Sequence, residues 1–462
     1  MTERARLQFD RGTIVLDCPE GLQSDGVAED FRPDPRVAGR LRAPAQAYRR
    51  ALGLLYKAGV AVDDQARGYE PLGLGGTKRS REPYPHQAEA LEAWITRERR
   101  GVVVLPTGSG KSYVAEMAIA QVDRSTLVVA PTIDLMNQWV SSLGFAFGPE
   151  RIGSMGGGTY RLAPITVSTY DSAYLHMEHL GARFGLVVFD ECHHLPGASY
   201  RQAAIMSIAP FRLGLTATPE RHDGTEGHLD DLIGPIIYRK RIGELAGEFL
   251  ADYDVVRLRV ALTPDERQRY DAARREYRSF VAFHGIRMGS PRGWGEFVML
   301  SSRSQMGRSA WRAWREQKRI ALQCEAKSQV LDELLQQHHD QQVIVFTADN
   351  DTVYALARRH LIAPITHQTK ASERRHILEA FNAGRLHGIV TSKVLNEGVD
   401  MPAASVGVVL SGSASVREHV QRLGRILRRH DGDKRALLYE VVTADTGEER
   451  TSERRRDHNA YR

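Results

Sequence analysis

Short, wholly apolar runs, each followed by a stretch with helical spacing, recur in two sets along this sequence, and no other feature restricts its fold as strongly. The first set is Val102-Val103-Val104-Leu105, Leu127-Val128-Val129-Ala130, Ile165-Thr166-Val167-Ser168, Leu186-Val187-Val188-Phe189 and Leu213-Gly214-Leu215. The second is Val343-Ile344-Val345-Phe346, Ile389-Val390, Val406-Gly407-Val408-Val409 and Leu437-Leu438-Tyr439. A strand that is apolar at every position is covered on both faces, which is the mark of a parallel sheet flanked by crossover helices. Two such sets predict an α/β chain built from two tandem doubly wound domains.

The remainder is divided by composition. Residues 1–70 read as a small α+β unit: Thr13-Ile14-Val15-Leu16 has the character of a strand, and Ala45 to Gly59 has helical spacing behind Pro44. Pro71-Leu72-Gly73-Leu74-Gly75-Gly76 reads as a linker, because clustered Gly and Pro break helix and strand alike. The first α/β domain is expected over 80–242 and the second over 243–462. With 42% hydrophobic and 26% charged residues the chain is an ordinary globular one. It contains no apolar run near the ~20 residues that a bilayer requires. Met1 to Arg6 leads into no apolar stretch, so no secretory signal is expected. Cys18, Cys192 and Cys324 are scattered. A disulfide framework, a cysteine-rich zinc site and an iron–sulfur cluster all lack ligands, which suits a reducing cytoplasm.

The net charge of +6 is concentrated: Asp265 to Arg319 holds 13 Lys/Arg against 6 Asp/Glu. The same segment carries Tyr270, Tyr277, Phe280, Phe283, Trp294, Phe297, Trp311 and Trp314. Cations interleaved with stacking rings describe a nucleic-acid surface. They describe equally a solvated helical face whose rings make a local core, and composition does not separate the two.

Three constellations carry chemistry. In Leu105-Pro106-Thr107-Gly108-Ser109-Gly110-Lys111-Ser112, a strand runs into a Gly-rich loop and then a helix, the context of a phosphate-binding loop. Gly108 and Gly110 let backbone N–H groups turn toward phosphate. Lys111 reaches the β/γ-phosphates, the Ser112 hydroxyl ligates Mg²⁺, and the helix N-terminus favours an anion. The strict pattern has Gly where this chain has Leu105; a Gly-rich turn with an incidental lysine is the competing reading. Asp190-Glu191-Cys192-His193-His194 ends an apolar strand. Asp190 is placed to hold Mg²⁺ through water, and Glu191 to orient and deprotonate the attacking water. A zinc site from Cys192, His193 and His194 is the rival; on an extended chain, however, consecutive side chains point to opposite faces. Lastly, Gln421, Arg425 and Arg428 share one helical face within Gln421 to Arg429. Guanidinium forks supplied from a second domain suit a transferring phosphoryl group, and a basic face for DNA or solubility is the alternative.

In sequence order these segments resemble the motifs of superfamily 2 helicases, over roughly Arg81 to Arg429. Gln87, in Tyr84-Pro85-His86-Gln87, matches the adenine-reading glutamine, and Thr107, Gly108, Ser109, Gly110, Lys111 and Ser112 match motif I. Ala130-Pro131-Thr132 with Gln138-Trp139 is similar to motif Ia, which contacts a DNA strand. Asp190 to His193 forms a DExH box, and Thr216-Ala217-Thr218 matches the motif that links hydrolysis to DNA contact. Val343 to Thr347 is similar to motif IV, Asn396-Glu397-Gly398-Val399-Asp400 to motif V, and Gln421 to Arg428 to motif VI. The resemblance implies two RecA-like domains. It implies ATP contacts from Gly398 and Asp400, arginine fingers at Arg425 and Arg428, and DNA contacts from Pro131, Thr132, Thr169, Arg221, His222, Asp223 and Thr391.

Within that superfamily the chain looks most like the XPB family in its compact prokaryotic form. The box extends to His194-Leu195-Pro196, and the insert at about 262–319 stands where the family has a thumb that grips duplex DNA. Residues 1–70, with Asp10-Arg11-Gly12-Thr13-Ile14-Val15, resemble its damage-recognition domain. One departure is chemical: the family carries Arg-Glu-Asp after the third motif, implicated in strand separation, and here Arg221-His222-Asp223 stands instead. The resemblance implies an ATP-dependent DNA helicase of 3′→5′ polarity acting in repair, with Mg²⁺ and a nuclease companion. Three other readings stay open on the residues: a duplex translocase that never unwinds, a nucleotide-gated DNA-binding module without turnover, and an RNA helicase. Gly156-Gly157-Gly158 offers close approach to a ligand but reads more readily as a flexible loop, His367 reads as a DNA-backbone contact or a cap, and Arg454-Arg455-Arg456 as a phosphate contact or a solvated end.

Overall fold

The computed structural model describes residues 4–17, 30–37, 39–77, 81–221, 224–245, 249, 252–290, 292–392, 404–411 and 435–456. It divides into two compact bodies, one of residues 1–245 and one of the chain beyond.

The first body begins with strands β1 (Ala5–Asp10), β2 (Thr13–Asp17), β3 (Arg32–Pro33) and β4 (Arg40–Pro44), helix α1 (Tyr48–Lys57) and strand β5 (Val62–Asp64). The strand order is β3-β4-β2-β1-β5, antiparallel except for the β1–β5 pair. Buried Leu7, Ile14, Leu16, Tyr48, Ala51 and Leu55 form its core, and Ile208 from the larger sheet's connections packs into the same cluster. Arg49 donates to the Pro210 carbonyl at 3.2 Å, and the Gly68 amide donates to the Ala182 carbonyl at 3.1 Å. Gly12, at the β1–β2 turn with φ 75°, lies so close to Met206 that a Cβ would stand 2.7 Å from its Cγ. The small sheet is thus seated on the larger one through backbone approach as well as side chains. The Gly/Pro-rich run 71–76 does not swing free. Leu72 N–H donates to the Asp123 carbonyl at 3.2 Å, Leu74 N–H to the Asp123 carboxylate at 3.0 Å, and Arg151 to the Leu72 carbonyl at 2.9 Å.

The larger part of this body runs α2 (Pro85–Thr96), β6 (Arg100–Val104), α3 (Lys111–Val122), β7 (Thr126–Ala130), α4 (Ile133–Phe147), β8 (Ile152–Gly156) and β9 (Thr159–Arg161). It continues with β10 (Ile165–Thr169), α5 (Tyr170–Leu180), β11 (Leu186–Asp190), α6 (Gln202–Ile205), β12 (Phe211–Thr216), α7 (His228–Leu232), β13 (Ile236–Arg239) and α8 (Ile242–Leu245). The sheet order is β13-β6-β12-β11-β7-β10-β8-β9, parallel throughout except for the β8–β9 hairpin. Every residue of β7, β10 and β11 is buried, as continuous apolar runs require. The order places the carboxyl ends of β6, β12 and β11 side by side, the position at which open α/β sheets bind ligands.

The second body contains β14 (Asp252–Val260), α9 (Pro264–Phe283), α10 (Gly293–Arg303), α11 (Gln305–Gln323), α12 (Glu325–Gln337), β15 (Val343–Phe346) and α13 (Asn350–His360). β16 (Ala363–Ile365), α14 (Ala371–Asn382), β17 (Gly388–Thr391), β18 (Val406–Val409), β19 (Arg435–Thr443) and α15 (Gly447–Arg456) follow. Its sheet, ordered β14-β19-β18-β15-β17-β16, is parallel in every pair. The basic aromatic segment forms three helices. Thr263 caps α9 with a reciprocal Glu266 contact, a capping box, and Ser304 caps α11. Most rings of the segment pack on one another: Phe280 and Phe297 are buried, Trp311 lies 5.8 Å from Phe297, and Trp294 lies 4.8 Å from Trp314. Arg275, Arg278, Arg287, Arg303, Arg312 and Arg315 stay exposed around this core. The local-core reading therefore describes most of the rings, with Phe283 at 76% and Trp294 at 42% exposure as the outward ones, while the cations occupy the solvated face. No helix among the described residues is long and apolar enough to cross a membrane.

Candidate nucleotide site

The loop after β6 turns into α3 at Gly110, whose φ of 82° is open to glycine at little cost. Space demands glycine as well, since a Cβ here would stand 2.3 Å from the Gln87 amide nitrogen. That amide donates to the Ser109 carbonyl at 2.9 Å, and its oxygen accepts from the Tyr84 N–H at 3.0 Å. His86 also reaches the Ser109 carbonyl, at 2.9 Å. Gln87 is fully buried and its side chain is engaged with the chain itself, so it grips the loop in addition to whatever it reads. Ser109 Oγ closes the turn on the Pro106 carbonyl at 2.7 Å. Lys111 Nζ donates to the Leu105 and Pro106 carbonyls at 3.2 and 3.3 Å, and Ser112 is exposed at the start of α3. Thr107 and Gly108 are half-buried along the same loop.

Two strands away, β11 delivers Asp190 and Glu191. Burial and the neighbouring Glu191 carboxylate push the Asp190 carboxyl up to about 6, against the pull of the Trp139 hydrogen bond and the Lys111 charge. Trp139 Nε1 donates to Asp190 Oδ2 at 2.8 Å, the Glu191 N–H donates to Oδ1 at 3.0 Å, and the Tyr170 hydroxyl donates to the Asp190 carbonyl at 2.9 Å. A charge-assisted contact such as the indole bond contributes about 1.5–3 kcal/mol. Glu191 has φ 46° and ψ 52°, the left-handed region that costs a side-chain-bearing residue free energy. This turn aims the acid back along the edge toward β12. There Thr216 Oγ1 lies 3.5 Å from Glu191 Oε2 and 3.1 Å from His193 Nδ1, and His193 Nδ1 is itself 3.4 Å from the same carboxylate oxygen. Arg221 donates to the His193 carbonyl and, at 2.9 Å, to Thr225.

The box residues do not continue an extended chain, contrary to the sequence reading, but form a tight turn after Glu191. Their side chains diverge all the same. Cys192 is buried in the sheet's core, His193 turns to Thr216, and the His194 ring approaches Tyr170 at 6.0 Å. An oxygen-only pair, the Ser112 hydroxyl and the Asp190 carboxylate, suits a hard cation that keeps much of its water, which is the chemistry of Mg²⁺.

The residues assigned to DNA contact fall in different settings. Thr132 caps α4, accepting from Leu135 N–H at 3.2 Å, and Thr169 caps α5, accepting from Ser172 N–H at 3.2 Å. Ala130 and Thr169 are register partners on β7 and β10, so both caps and Pro131 share one sheet edge with the Gly156-Gly157-Gly158 hairpin turn of β8–β9. Thr391 is fully buried at the end of β17; its carbonyl accepts from Thr347 N–H at 2.9 Å. His367 accepts from Asn350 at 2.8 Å, and Ser392 donates to the same Asn350 at 2.7 Å. Arg454 to Arg456 continue α15. His222, Asp223, Gly398, Asp400, Gln421, Arg425 and Arg428 lie outside the described residues.

Sequence reasoning missed three participants. Trp139 was grouped with a DNA-contacting segment, yet its indole is buried on Asp190. His86 and Tyr170 had no signal beyond their positions beside Gln87 and Thr169.

The chain matches three family models: the Xeroderma pigmentosum group B helicase damage recognition domain over residues 7–66, the res subunit of type III restriction enzymes over 80–221, and the helicase conserved C-terminal domain over 326–430. It is 43% identical over 374 residues to the DNA 3′-5′ translocase XPB2 of Sulfurisphaera tokodaii, covering 80% of this chain and 84% of that one. To the DNA 3′-5′ helicase XPB of Mycobacterium tuberculosis it is 32% identical over 358 residues, covering 75% of this chain and 58% of the other. Among solved structures, the helicase domain of Pyrococcus furiosus Hef aligns with a TM-score of 0.55 at 19% identity, over 80% of this chain and 97% of that one, a likeness of fold. With 43% identity over most of both chains, the chain belongs to the XPB family of superfamily 2 helicases.

Proposed function

We propose that this chain is an ATP-dependent DNA helicase and translocase that couples hydrolysis to 3′→5′ movement on DNA and to opening of the duplex, in DNA repair. The observation that carries the reading is the placement of Lys111, Ser112, Asp190 and Glu191 at the carboxyl ends of β6 and β11, which flank β12 in one parallel sheet. Lys111 leaves its two loop carbonyls for the β/γ-phosphates, Ser112 and Asp190 hold Mg²⁺, and Glu191 orients the attacking water and takes its proton. Bound there, Mg²⁺ supplies charge neutralisation to the phosphates. Gln421, Arg425 and Arg428 contribute from the second α/β domain, expected over 243–462, as the 80–242 domain contributes the loop. Arginine fingers of this kind stabilise the charge of the transferring phosphoryl group.

Glu191, His193 and Thr216 give hydrolysis a short path to the edge that carries Arg221. DNA contacts are assigned to Pro131, Thr132 and Thr169, to Arg221, His222 and Asp223, to the exposed cations of α9–α11, and to the 1–70 unit; Thr391, expected among them, is fully buried and is left out. Because such contacts are mostly to phosphate, binding is expected to be weakly sequence-specific and salt-sensitive. A nuclease companion and a cytoplasmic location fit this reading. The test is phosphate release measured in parallel without nucleic acid and with single-stranded DNA, duplex DNA and RNA. The proposal expects the largest stimulation from DNA; equal rates in all four would sink it.

A second reading, a duplex translocase that does not unwind, draws support from Arg221-His222-Asp223, where a histidine replaces the family's acid. Arg221 is also engaged by the His193 carbonyl and Thr225. Strand displacement on a 3′-tailed duplex, run beside triplex displacement, separates the two: a translocase scores only in the second assay.

A further inference from the structure

Asp190 is approached by two N–H groups of different origin. That of Glu191 is its chain neighbour, fixed by the left-handed turn. The other, from Trp139, comes from 51 positions earlier in the sequence, on α4, and both partners are buried. An indole donates and cannot accept, and its bicyclic ring leaves little freedom once enclosed. One turn further along α4, Ser142 donates to the buried Glu116 carboxylate of α3 at 2.8 Å. Residues three apart share a helix face. The same face of α4 is therefore tied to the strand end that carries Asp190 and to the helix that begins with Lys111. The Tyr170 hydroxyl holds the Asp190 carbonyl in addition, so among the described residues the indole and the neighbouring amide supply the hydrogen bonds that set the carboxylate itself.

We propose that Trp139 is a positioning residue for the reaction, its indole N–H fixing the Asp190 carboxylate in the orientation that receives the metal–nucleotide complex. This rests on the reading of Asp190 as the magnesium carboxylate. Each Asp190 oxygen then has one lone pair engaged by protein and one left for the ion's water.

The full-length chain carrying Trp139→Phe, which keeps a ring and loses the N–H, tests this. Mn²⁺ serves as a paramagnetic probe, titrated against protein and ADP by electron paramagnetic resonance, beside the Mg²⁺ dependence of phosphate release. The half-saturating metal concentration is expected to rise about tenfold in both measurements. ADP binding in EDTA should stay within about twofold of wild type, since that bond serves the metal. If Trp139→Phe does not fold, benzothienylalanine at position 139 keeps the bicyclic shape and removes only the N–H. Asp190→Asn, run alongside, separates the two levels of the argument. An unchanged metal requirement in the Trp139 variants, with Asp190→Asn losing Mn²⁺ binding, overturns the proposal and leaves the site reading standing. Retention of tight Mn²⁺ binding by Asp190→Asn overturns the site reading, and the proposal with it.

Discussion

In the second body, Lys327 of α12 and Glu448 of α15 are buried together: Nζ lies 2.7 Å from both carboxylate oxygens, the Leu410 carbonyl takes a further N–H, and the Thr443 amide donates to Glu448 at 3.0 Å. In the first body, Asp190 and Glu191 are buried side by side, acid next to acid, with the Trp139 indole and the Glu191 amide donating to Asp190. Both arrangements sit near strand ends of a parallel sheet. One is a closed pair of acid and base, and the other an open pair of like acids. A closed pair holds elements together and has nothing left to offer a ligand. An open pair of acids raises the free energy of the empty protein and is relieved by a cation. The sheets share an architecture; what differs is whether a buried acid stands beside a base or beside another acid.

Breaking the closed pair should give the largest effect. Lys327→Met leaves Glu448 buried without its cation and is expected to cost about 3–5 kcal/mol in denaturant unfolding, whereas replacing both partners by apolar residues recovers most of it. A loss below about 1 kcal/mol would mean that water reaches the pair. On the open side, Lys111→Ala should reduce DNA-stimulated phosphate release by about 100-fold or more, with nucleotide-free DNA affinity, measured by fluorescence anisotropy, within a few fold; persisting hydrolysis would relocate the site.

Asp190 tests the same contrast through pH. Its carboxyl is raised to about 6 in the folded chain against 3.8 for a free aspartate side chain. The folded state therefore binds the proton more tightly than the unfolded one. The stability this contributes is present at low pH and is lost as pH rises from about 4 through 6. At pH 7.5 in EDTA, Asp190→Asn should accordingly be more stable than wild type, by an amount on the order of 3 kcal/mol, and the gain should vanish near pH 4. Metal binding follows the opposite sign, because only the carboxylate binds: Mg²⁺–nucleotide affinity should be flat above pH 7 and fall as pH drops below 6. The smallest effect is expected at an edge residue that is merely a cap. Thr132→Ala should lower unfolding free energy by about 1 kcal/mol while Thr132→Ser retains it; a loss of DNA affinity shared by both variants would point to contact through the methyl group.

The strand pattern was legible where strands are central. All nine apolar runs correspond to strands, Val343–Phe346 and Val406–Val409 to the residue. In the two parallel sheets, the strands that the pattern failed to reveal are β8 and those at the margins, β9 and β13 in one sheet and β14 and β16 in the other; in the small N-terminal sheet it revealed β2 alone. A margin strand has one neighbour and one open side, so its side chains need not be apolar. β14 reads Asp-Tyr-Asp-Val-Val-Arg-Leu-Arg-Val, and β16 contains Pro364, which a central strand does not accommodate. β8 escaped because Gly153 and Gly156 interrupt its run.

By itself the sequence determined the two parallel sheets, the phosphate loop and the acidic box, because each is written in consecutive residues: burial on both faces needs unbroken apolar runs, and Gly110 is required within its own turn. Only the tertiary structure decided that Trp139 belongs to Asp190, that His86 and Gln87 hold Ser109, that the thumb-like rings face one another, and that Lys327 is matched by Glu448. Those partners stand far apart in the chain, and their pairing depends on how helices settle on a sheet whose strand order is not its sequence order.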